Sequence, residues 1–352
     1  MSIDTADRHV PVLRERIVDL LSPPLSAEGA VYVDGTLGMG GHAEVILAAC
    51  PHARVIGIDR DGQALALASE RLAPYGERFH AVRARYDQID EVVADAGLTG
   101  VQAVLLDLGV SSLQLDEEAR GFAYRHDAPL DMRMDEDLPR TAADLLNEEE
   151  PGELVRILRE YGEERFARQI VRAVVAERER APFTTSARLT ELLYRVIPAA
   201  SRVSGGHPAK RTFQALRIAV NGELDSLAAA LPKAVEVCAL GGRVAVLSYH
   251  SLEDRMTKRV FTAGTTSSAP PDMPVELPEH APYLAQVTRG AEKPDAAEVE
   301  GNPRAASARL RVVQRIAPTP AGRGSGALDA AAQGARRTIR HGRHTTQKGH
   351  TR

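Results

Sequence analysis

The chain has 352 residues and 43% hydrophobic content, which is enough for one large domain or two ordinary ones. Its two cysteines, Cys50 and Cys238, are far apart and lack the spacing of a disulfide framework or a zinc site, so we expect a reducing, cytoplasmic setting. The sequence indicates no metal ligands and leaves metal dependence open. The amino-terminal residues contain no apolar stretch of export-signal or membrane-spanning length. The composition therefore indicates a soluble globular enzyme that does not bind membranes.

The net charge of −4 is unevenly distributed along the chain. Residues 317–352 contain seven Lys or Arg against one acid, a net +6, which leaves −10 on residues 1–316. This tail has too few apolar residues to offset the entropy of ordering, so we predict that 317–352 is disordered. A basic tail can tether a polyanion such as RNA, and the alternative is a solvated segment without a specific role.

Short apolar runs that end in polar residues or glycine recur along the chain, which is typical of buried parallel strands. One segment rich in helix-forming residues lies between the first and second runs, and another follows the second run. Alternation of strand and helix predicts an α/β fold with a doubly wound sheet. The predicted strands are 31–33, 55–58, 79–82, 103–106, 244–247 and 310–316.

A long segment separates the fourth predicted strand, which ends near Gly109, from the fifth, which begins near Arg243. An ordinary crossover between parallel strands is far shorter, so we predict an inserted all-helical domain at 116–211. The sheet domain is then discontinuous and comprises 1–115 and 212–316. Apolar residues at helical spacing predict helices over 167–175 and 189–197 and a crossover helix over 212–231.

A glycine-rich block follows the first predicted strand and reads DGTLGMGGH over residues 34–42. Glycine lets the backbone approach a ligand closely, and the carboxyl edge of a parallel sheet is where nucleotide-like cofactors bind. Asp59 ends the second strand, where it can accept hydrogen bonds from ribose hydroxyls. The pattern also fits a dinucleotide, but Asp34 would repel a pyrophosphate and attract the cationic groups of S-adenosylmethionine. We therefore favour the methyl donor.

Further sequence blocks occur in a consistent order: 34–42, 57–61 (GIDRD), 105–112 with 114–116 (LLDLGVSS and QLD), 120–122 (RGF), 129–135 (PLDMRMD), 161–166 (YGEERF), 211–215 (RTFQA) and 248–255 (SYHSLEDR). With these blocks the chain resembles the bacterial 16S rRNA cytosine-N4 methyltransferase family, RsmH, also called MraW, from about His9 to Ile316. The resemblance implies a Rossmann-like class I methyltransferase sheet interrupted by a helical substrate-recognition domain. It also implies S-adenosylmethionine as cofactor and, as substrate, a cytosine in the decoding region of 16S rRNA in the small ribosomal subunit.

The resemblance also assigns cofactor contacts by position. Tyr86 stands where we expect phenylalanine, and an aromatic face beside the adenine is retained. His42 lies at the start of a predicted helix, and two roles are open for it. Either its side chain contacts the cofactor, or only its backbone N–H does. The implied cofactor residues are Gly40, Gly41, His42, Asp59, Tyr86, Asp107 and Gln114.

Asp107 is also the candidate catalytic group. The N4 lone pair of cytosine is delocalised into the ring, so an enzyme must align the amine and accept hydrogen bonds from it. Many amino-group methyltransferases place an acid or Asn before Pro-Pro-aromatic at this point, whereas this chain has Leu108-Gly109-Val110 after Asp107. A role in cofactor binding alone therefore stays open for Asp107.

The target base must be unpaired or flipped out of its stack to reach the methyl group. Five basic residues near the ends of the insertion are candidates for phosphate contacts, and surface salt bridges are the alternative for each. They are Arg125, Arg133, Lys210, Arg211 and Arg217. The sequence leaves the oligomeric state open, with a homodimer as one outcome.

Three functions other than rRNA methylation are alternatives for this sequence. The first is a methyltransferase of the same fold that acts on a small molecule or a protein, and the second is a non-catalytic RNA-binding ribosome assembly factor. The third is a hydrolase that uses His250, Ser251 and Asp254. Adjacent side chains on a strand point to opposite faces and no glycine-flanked serine is present, so the hydrolase is disfavoured.

Overall fold

The computed structural model describes residues 11–321 and 323, with the exception of 112, 113, 115, 116, 118, 119, 206, 274 and 276. Most of the tail predicted to be disordered, residues 324–352, therefore lies outside the described residues. The chain divides into two compact units, of which the first contains the residues up to Gly109 and from Asp225 onward, and the second is Val110–Leu224. None of the helices in the described ranges combines the length and the apolar character needed to span a membrane.

The first unit is built on a seven-stranded sheet with the order β3-β2-β1-β4-β5-β7-β6. Strands β1 to β5 are parallel, and β7 runs antiparallel between β5 and β6. The chain changes direction across the sheet between β1 and β4, which is where such folds bind ligands. This topology confirms the predicted Rossmann-like sheet. The strands are β1 Val31–Asp34, β2 Arg54–Asp59, β3 Phe79–Arg83, β4 Val101–Asp107, β5 Cys238–Ser248, β6 Leu284–Gln286 and β7 Arg309–Arg315.

Four helices accompany the first four strands of this unit. The helix Gly62–Leu72 has Asp61 as its N-cap. The carboxylate of Asp61 accepts hydrogen bonds from the N–H groups of Gln63 and Ala64 at 3.0 and 3.4 Å. Apolar side chains of the first three of these helices pack against one face of the sheet in a core in which Ile46 and Leu105 are fully buried. The helices are α1 Arg14–Leu21, α2 Gly41–Ala49, α3 Gly62–Leu72 and α4 Ile89–Asp95.

The second unit is helical and has its own core. The helices predicted over 167–175 and 189–197 are confirmed, and Ile170 and Leu189 on their apolar faces are completely buried. This core also includes Phe213 and Leu216, which the sequence placed in the sheet domain. The helices are α5 Ala142–Glu148, α6 Pro151–Glu160, α7 Ala167–Arg178, α8 Ser186–Val196, α9 Ala199–Gly205 and α10 Ala209–Asn221.

The predicted single crossover helix over 212–231 is wrong. Helix α10 ends at Asn221, and Gly222 then adopts the left-handed conformation with φ 60° and donates its N–H to the carbonyl of Ile218. A new helix, α11 (Glu223–Val237), follows and leads into β5. Glycine tolerates this conformation without a Cβ clash, which is why the helix ends there. Beyond β5 lie α12 (Ser251–Thr265) and α13 (Ala296–Gly301).

Candidate active site at the carboxyl edge of the sheet

The glycine block forms the turn from β1 into α2. Gly38 and Gly40 have positive φ angles of 51° and 79°, which favour glycine at both positions. A Cβ at Gly40 would lie 3.0 Å from Leu72 Cδ1, so a larger residue would also require that side chain to shift. The first N–H groups of α2, which starts at Gly41, have no acceptor within their own helix. The block therefore offers backbone donors at the edge of the sheet.

Asp59 fixes this loop to the end of β2. One carboxylate oxygen accepts the N–H of Gly38 at 2.8 Å, and the other accepts the N–H of Asp61 at 2.9 Å. Burial raises the pKa of Asp59, and the two backbone hydrogen bonds oppose that effect. A carboxylate has about four lone-pair positions, so Asp59 keeps capacity to accept ribose hydroxyls.

Asp34 is buried at the end of β1, with 1% of its surface exposed. Its carboxylate accepts the hydroxyl of Tyr32 at 3.1 Å and the N–H of Thr36 at 3.2 Å. Burial raises the pKa of Asp34 to about 6, although these hydrogen bonds and the nearby His42 favour the charged form. A buried carboxylate with incomplete compensation is a group that a cationic ligand would stabilise.

Asp107 ends β4 and is held from several directions. Its Oδ1 accepts the hydroxyl of Tyr249 at 2.9 Å, and its backbone N–H donates to Thr36 Oγ1 at 2.6 Å. Burial, followed by the charge of Asp107, raises the pKa of Tyr249 well above its ordinary value, so the phenol stays protonated and donates. The side chain of Asp107 is 23% exposed, which leaves part of the carboxylate accessible.

His42 lies on the other side of the same carboxylate. Its Nε2 is 3.3 Å from Asp107 Oδ2, and the ring is only 6% exposed. The contact lacks hydrogen-bond geometry, and both ring nitrogens are buried without a hydrogen-bond partner in the part of the chain that the structure describes. A buried imidazole without such partners is available to a ligand at this edge.

Of the remaining two predicted cofactor residues, Tyr86 lies in the first unit and Gln114 in the second. Tyr86 follows β3 and is half-buried. A Cβ added at Gly35 would lie 3.4 Å from the Cβ of Tyr86, so Tyr86 lies beside the start of the glycine block. Gln114 belongs to the second unit and is buried, with its Oε1 accepting the N–H of Ser111 at 3.0 Å. The fold thus groups six of the seven predicted cofactor residues within the first unit.

Sequence reasoning missed Tyr249 and Thr36 as members of this edge. Tyr249 follows β5, and β5 pairs with β4 so that Leu247 lies opposite Asp107. The available signal was the strand order, because neighbouring parallel strands bring their carboxyl ends together. Thr36 lies within the glycine block, where its hydroxyl joins the end of β1 to the end of β4.

The residues of the disfavoured hydrolase have other partners. His250 is the N-cap of α12, in a turn where Glu253 Oε2 accepts the N–H groups of Tyr249 and His250 at 2.8 and 3.1 Å. Asp254 accepts two hydrogen bonds from Arg311, at 2.7 and 3.2 Å. The first contacts cap α12, and the second join α12 to β7. They do not form a nucleophile-base-acid relay.

The five basic residues proposed for phosphate contacts, all in the second unit, differ in their partners. Arg217 forms two hydrogen bonds with Glu223, and Arg133 forms two with Asp131. Arg211 donates to the carbonyl of Glu163. Arg125 and Lys210 are exposed and form no ion pair with any described carboxylate. The last two are therefore the cations best placed to meet an anionic ligand.

Comparison with known proteins places these features in a family. The profile of the MraW methylase family matches residues 6–316. The ribosomal RNA small subunit methyltransferase H of Saccharopolyspora erythraea is 61% identical over 310 residues, which cover 88% of this chain and 94% of that protein. Its namesake from Beutenbergia cavernae is 58% identical over 312 residues, covering 89% and 94%. Among solved structures, an rRNA methylase from Streptococcus thermophilus aligns with 88% of this chain and 99% of its own at 11% identity and a TM-score of 0.41. On the sequence comparisons, the chain belongs to the MraW methylase family.

Proposed function

We propose that this protein uses S-adenosylmethionine to methylate N4 of a cytosine in the decoding region of 16S rRNA, within the small ribosomal subunit. The observation that carries the proposal is the Asp107 carboxylate at the switch point of the sheet, partly exposed and held by Tyr249. The names of the relatives support ribosomal RNA as the substrate class. The sequence blocks shared with the RsmH family support cytosine N4 as the acceptor.

The residues at this edge fit the proposed cofactor. S-adenosylmethionine supplies a methyl group on a cationic sulfonium. The positive φ angles of Gly38 and Gly40 let the turn bring the first N–H groups of α2 to the edge of the sheet, and the imidazole of His42 is buried without a hydrogen-bond partner among the described residues. Asp34 provides buried negative charge for a cation. The residues proposed to hold the cofactor are Gly40, Gly41, His42, Asp59, Tyr86 and Asp107, with Gln114 added on the sequence resemblance alone.

Asp107 has the chemistry needed to activate an amine. A carboxylate that accepts an N–H hydrogen bond from N4 draws electron density onto the nitrogen and orients its lone pair. When the nitrogen gains a methyl group it must lose a proton, and Asp107 is the ionisable side chain at the end of β4 that can accept it. Tyr249 donates to Oδ1, which fixes the carboxylate plane and leaves Oδ2 facing His42.

The proposal is tested with labelled S-adenosylmethionine and small subunits that lack the modification, followed by digestion to nucleosides. We expect label in N4-methylcytidine with the wild-type protein and a large loss with Asp107→Asn, which keeps the shape but not the charge. Label in another nucleoside contradicts the proposal. Label in a protein or small molecule supports the first alternative function, and RNA binding without any transfer supports the assembly factor.

A further inference from the structure

A group of aromatic rings lies at the surface of the second unit. The ring of Tyr124 stacks on that of His207 with centroids 4.3 Å apart, and His207 meets Tyr194 edge-on at 5.5 Å. Tyr124 also contacts Phe213 edge-on at 5.7 Å, and Phe213 is buried in the core of this unit. The stack is thus anchored from below, which fixes its orientation before any ligand arrives.

The outermost ring of this stack is exposed. Tyr194 is 40% exposed and is the only aromatic residue among the exposed large hydrophobic side chains of the described residues. Its hydroxyl lies 3.2 Å from His207 Nε2, and His207 Nδ1 accepts the N–H of Ala209 at 3.2 Å. The Nδ1 contact assigns the proton to Nε2 in the neutral ring. Burial and the nearby Arg125 lower the pKa of His207, so the stack is uncharged at neutral pH.

Basic side chains surround these uncharged rings. The Arg202 guanidinium lies 5.4 Å from the centroid of the Tyr194 ring, and Arg125 is close enough to His207 to affect its titration. Lys210 is exposed, and its backbone N–H donates to the carbonyl of His207. Within the described ranges no carboxylate forms an ion pair with these three cations, whereas Arg133 and Arg217 of the same unit are both paired.

We infer that an aromatic-basic cluster, made of Tyr124, Tyr194, His207, Arg125, Arg202 and Lys210, binds an unpaired segment of RNA. Unpaired bases stack on exposed aromatic rings, and neighbouring cations bind the adjacent phosphates. Tyr194 then carries a base, while Arg125 and Lys210 contact the backbone. The inference rests on the proposed function in taking RNA as the substrate, and it deepens that function by naming the surface that holds the strand.

The test is fluorescence anisotropy with a labelled single-stranded RNA of mixed sequence, about 12 nucleotides long. We expect Tyr194→Ala to weaken binding about tenfold, because one stacked base is lost. Tyr194→Phe keeps the ring and should stay within about twofold of wild type. Arg125→Glu with Lys210→Glu should weaken binding and reduce its salt dependence.

The charge control is Arg54→Glu, which reverses the charge of an exposed arginine at the start of β2 in the other unit and should leave RNA affinity unchanged. Urea unfolding of each variant checks that the fold is intact. Wild-type affinity in both Tyr194→Ala and the Arg125/Lys210 double variant would overturn the inference. Equal displacement of the RNA by polyglutamate and by unlabelled RNA would also overturn it, because charge alone would then explain binding.

Methyl transfer measured in parallel separates this inference from the proposed function. If the wild-type protein forms no N4-methylcytidine but Tyr194→Ala still loses RNA affinity, the proposed function fails and the cluster stands. If methylation occurs and both Tyr194→Ala and the Arg125/Lys210 double variant bind RNA as tightly as wild type, the cluster alone is refuted.

Discussion

Asp34 couples the stability of the fold to pH. Burial raises its pKa from 3.8 to about 6, so between these values the native state binds more protons than the unfolded chain. The contribution of this carboxyl to stability therefore falls as the pH rises through that window. Above it, the cost of keeping Asp34 charged is fully present and amounts to about 3 kcal/mol at most.

We predict that Asp34→Asn stabilises the protein at neutral pH and weakens the binding of S-adenosylmethionine. Asparagine is isosteric, and its amide can accept the N–H of Thr36 and donate to the hydroxyl of Tyr32, but it needs no charge in the buried site. Urea unfolding from about pH 4 to about pH 8 should show a gain of up to about 3 kcal/mol at the alkaline end that disappears at the acidic end. A pH-independent difference, or unchanged cofactor affinity by calorimetry, would contradict this account.

Tyr249 is predicted to act through the carboxylate that it orients. Tyr249→Phe removes one hydrogen bond to a charged group, which is worth about 1.5 kcal/mol, so kcat should fall about tenfold. The dissociation constant for S-adenosylmethionine should change little. Tyr283→Phe is the matched control, because Tyr283 is also buried in the first unit and its hydroxyl makes only a 3.4 Å contact with a carbonyl. A loss of cofactor affinity equal to the loss in kcat would assign Tyr249 a structural role.

The acidic side chains at this edge were predictable and their partners were not. Asp34, Asp59 and Asp107 each end an apolar run, so the sequence pattern alone puts them at the carboxyl ends of strands. The contact of Tyr249 with Asp107 depends on β5 lying beside β4, and the second unit separates these strands along the chain. Local patterns carry no information about such a pairing.

At the scale of helices and strands, the break between α10 and α11 shows where pattern reasoning failed. Apolar residues keep helical spacing from Phe213 through Leu224 to Leu231, so the periodicity continues across the break. One glycine in such a run is a weak signal, since many helices tolerate it. The decisive fact is the left-handed conformation of Gly222, whose N–H is donated to the carbonyl of Ile218 and closes the helix there.

This break yields a prediction with an internal control. Gly222→Ala should destabilise the protein by about 1 kcal/mol, because alanine is strained at a φ of 60° although no atom lies within 4 Å of its Cβ position. Gly152→Ala, in α6, also meets open space but has no positive φ, so it should stabilise by about 0.5 kcal/mol. Urea unfolding of both variants measures the difference, and equal effects would refute the conformational explanation.

For the whole molecule, the discontinuity of the sheet was predictable from chain length between strands. The sequence did not show which core each helix joins. Residues 212–221 were expected with the sheet, yet Phe213 and Leu216 are buried in the core of the second unit. An amphipathic helix has the same apolar face whichever core it joins, so only the folded structure shows whether that core is the one of the first or of the second unit.

The charge of the whole chain gives the last prediction, which concerns the basic tail. Residues 324–352 carry six Lys or Arg and one acid, Asp329. Truncation after Arg323 retains a guanidinium that donates to the carbonyls of Ala263, Thr266, His280 and Ala281, so the folded part should keep its stability. If the tail contacts RNA phosphates, truncation should reduce the slope of log affinity against log salt by up to about 4.

A full-length variant with glutamine at these six positions separates charge from chain length. It should reproduce the reduced salt slope, while the affinity for S-adenosylmethionine should be unchanged in both proteins, because the proposed cofactor residues all precede the tail. Anisotropy titrations of the same single-stranded RNA over a range of salt concentrations give the slopes. Slopes equal to that of the wild type would show that the tail does not bind the RNA backbone, and the contacts would then have to come from the folded units.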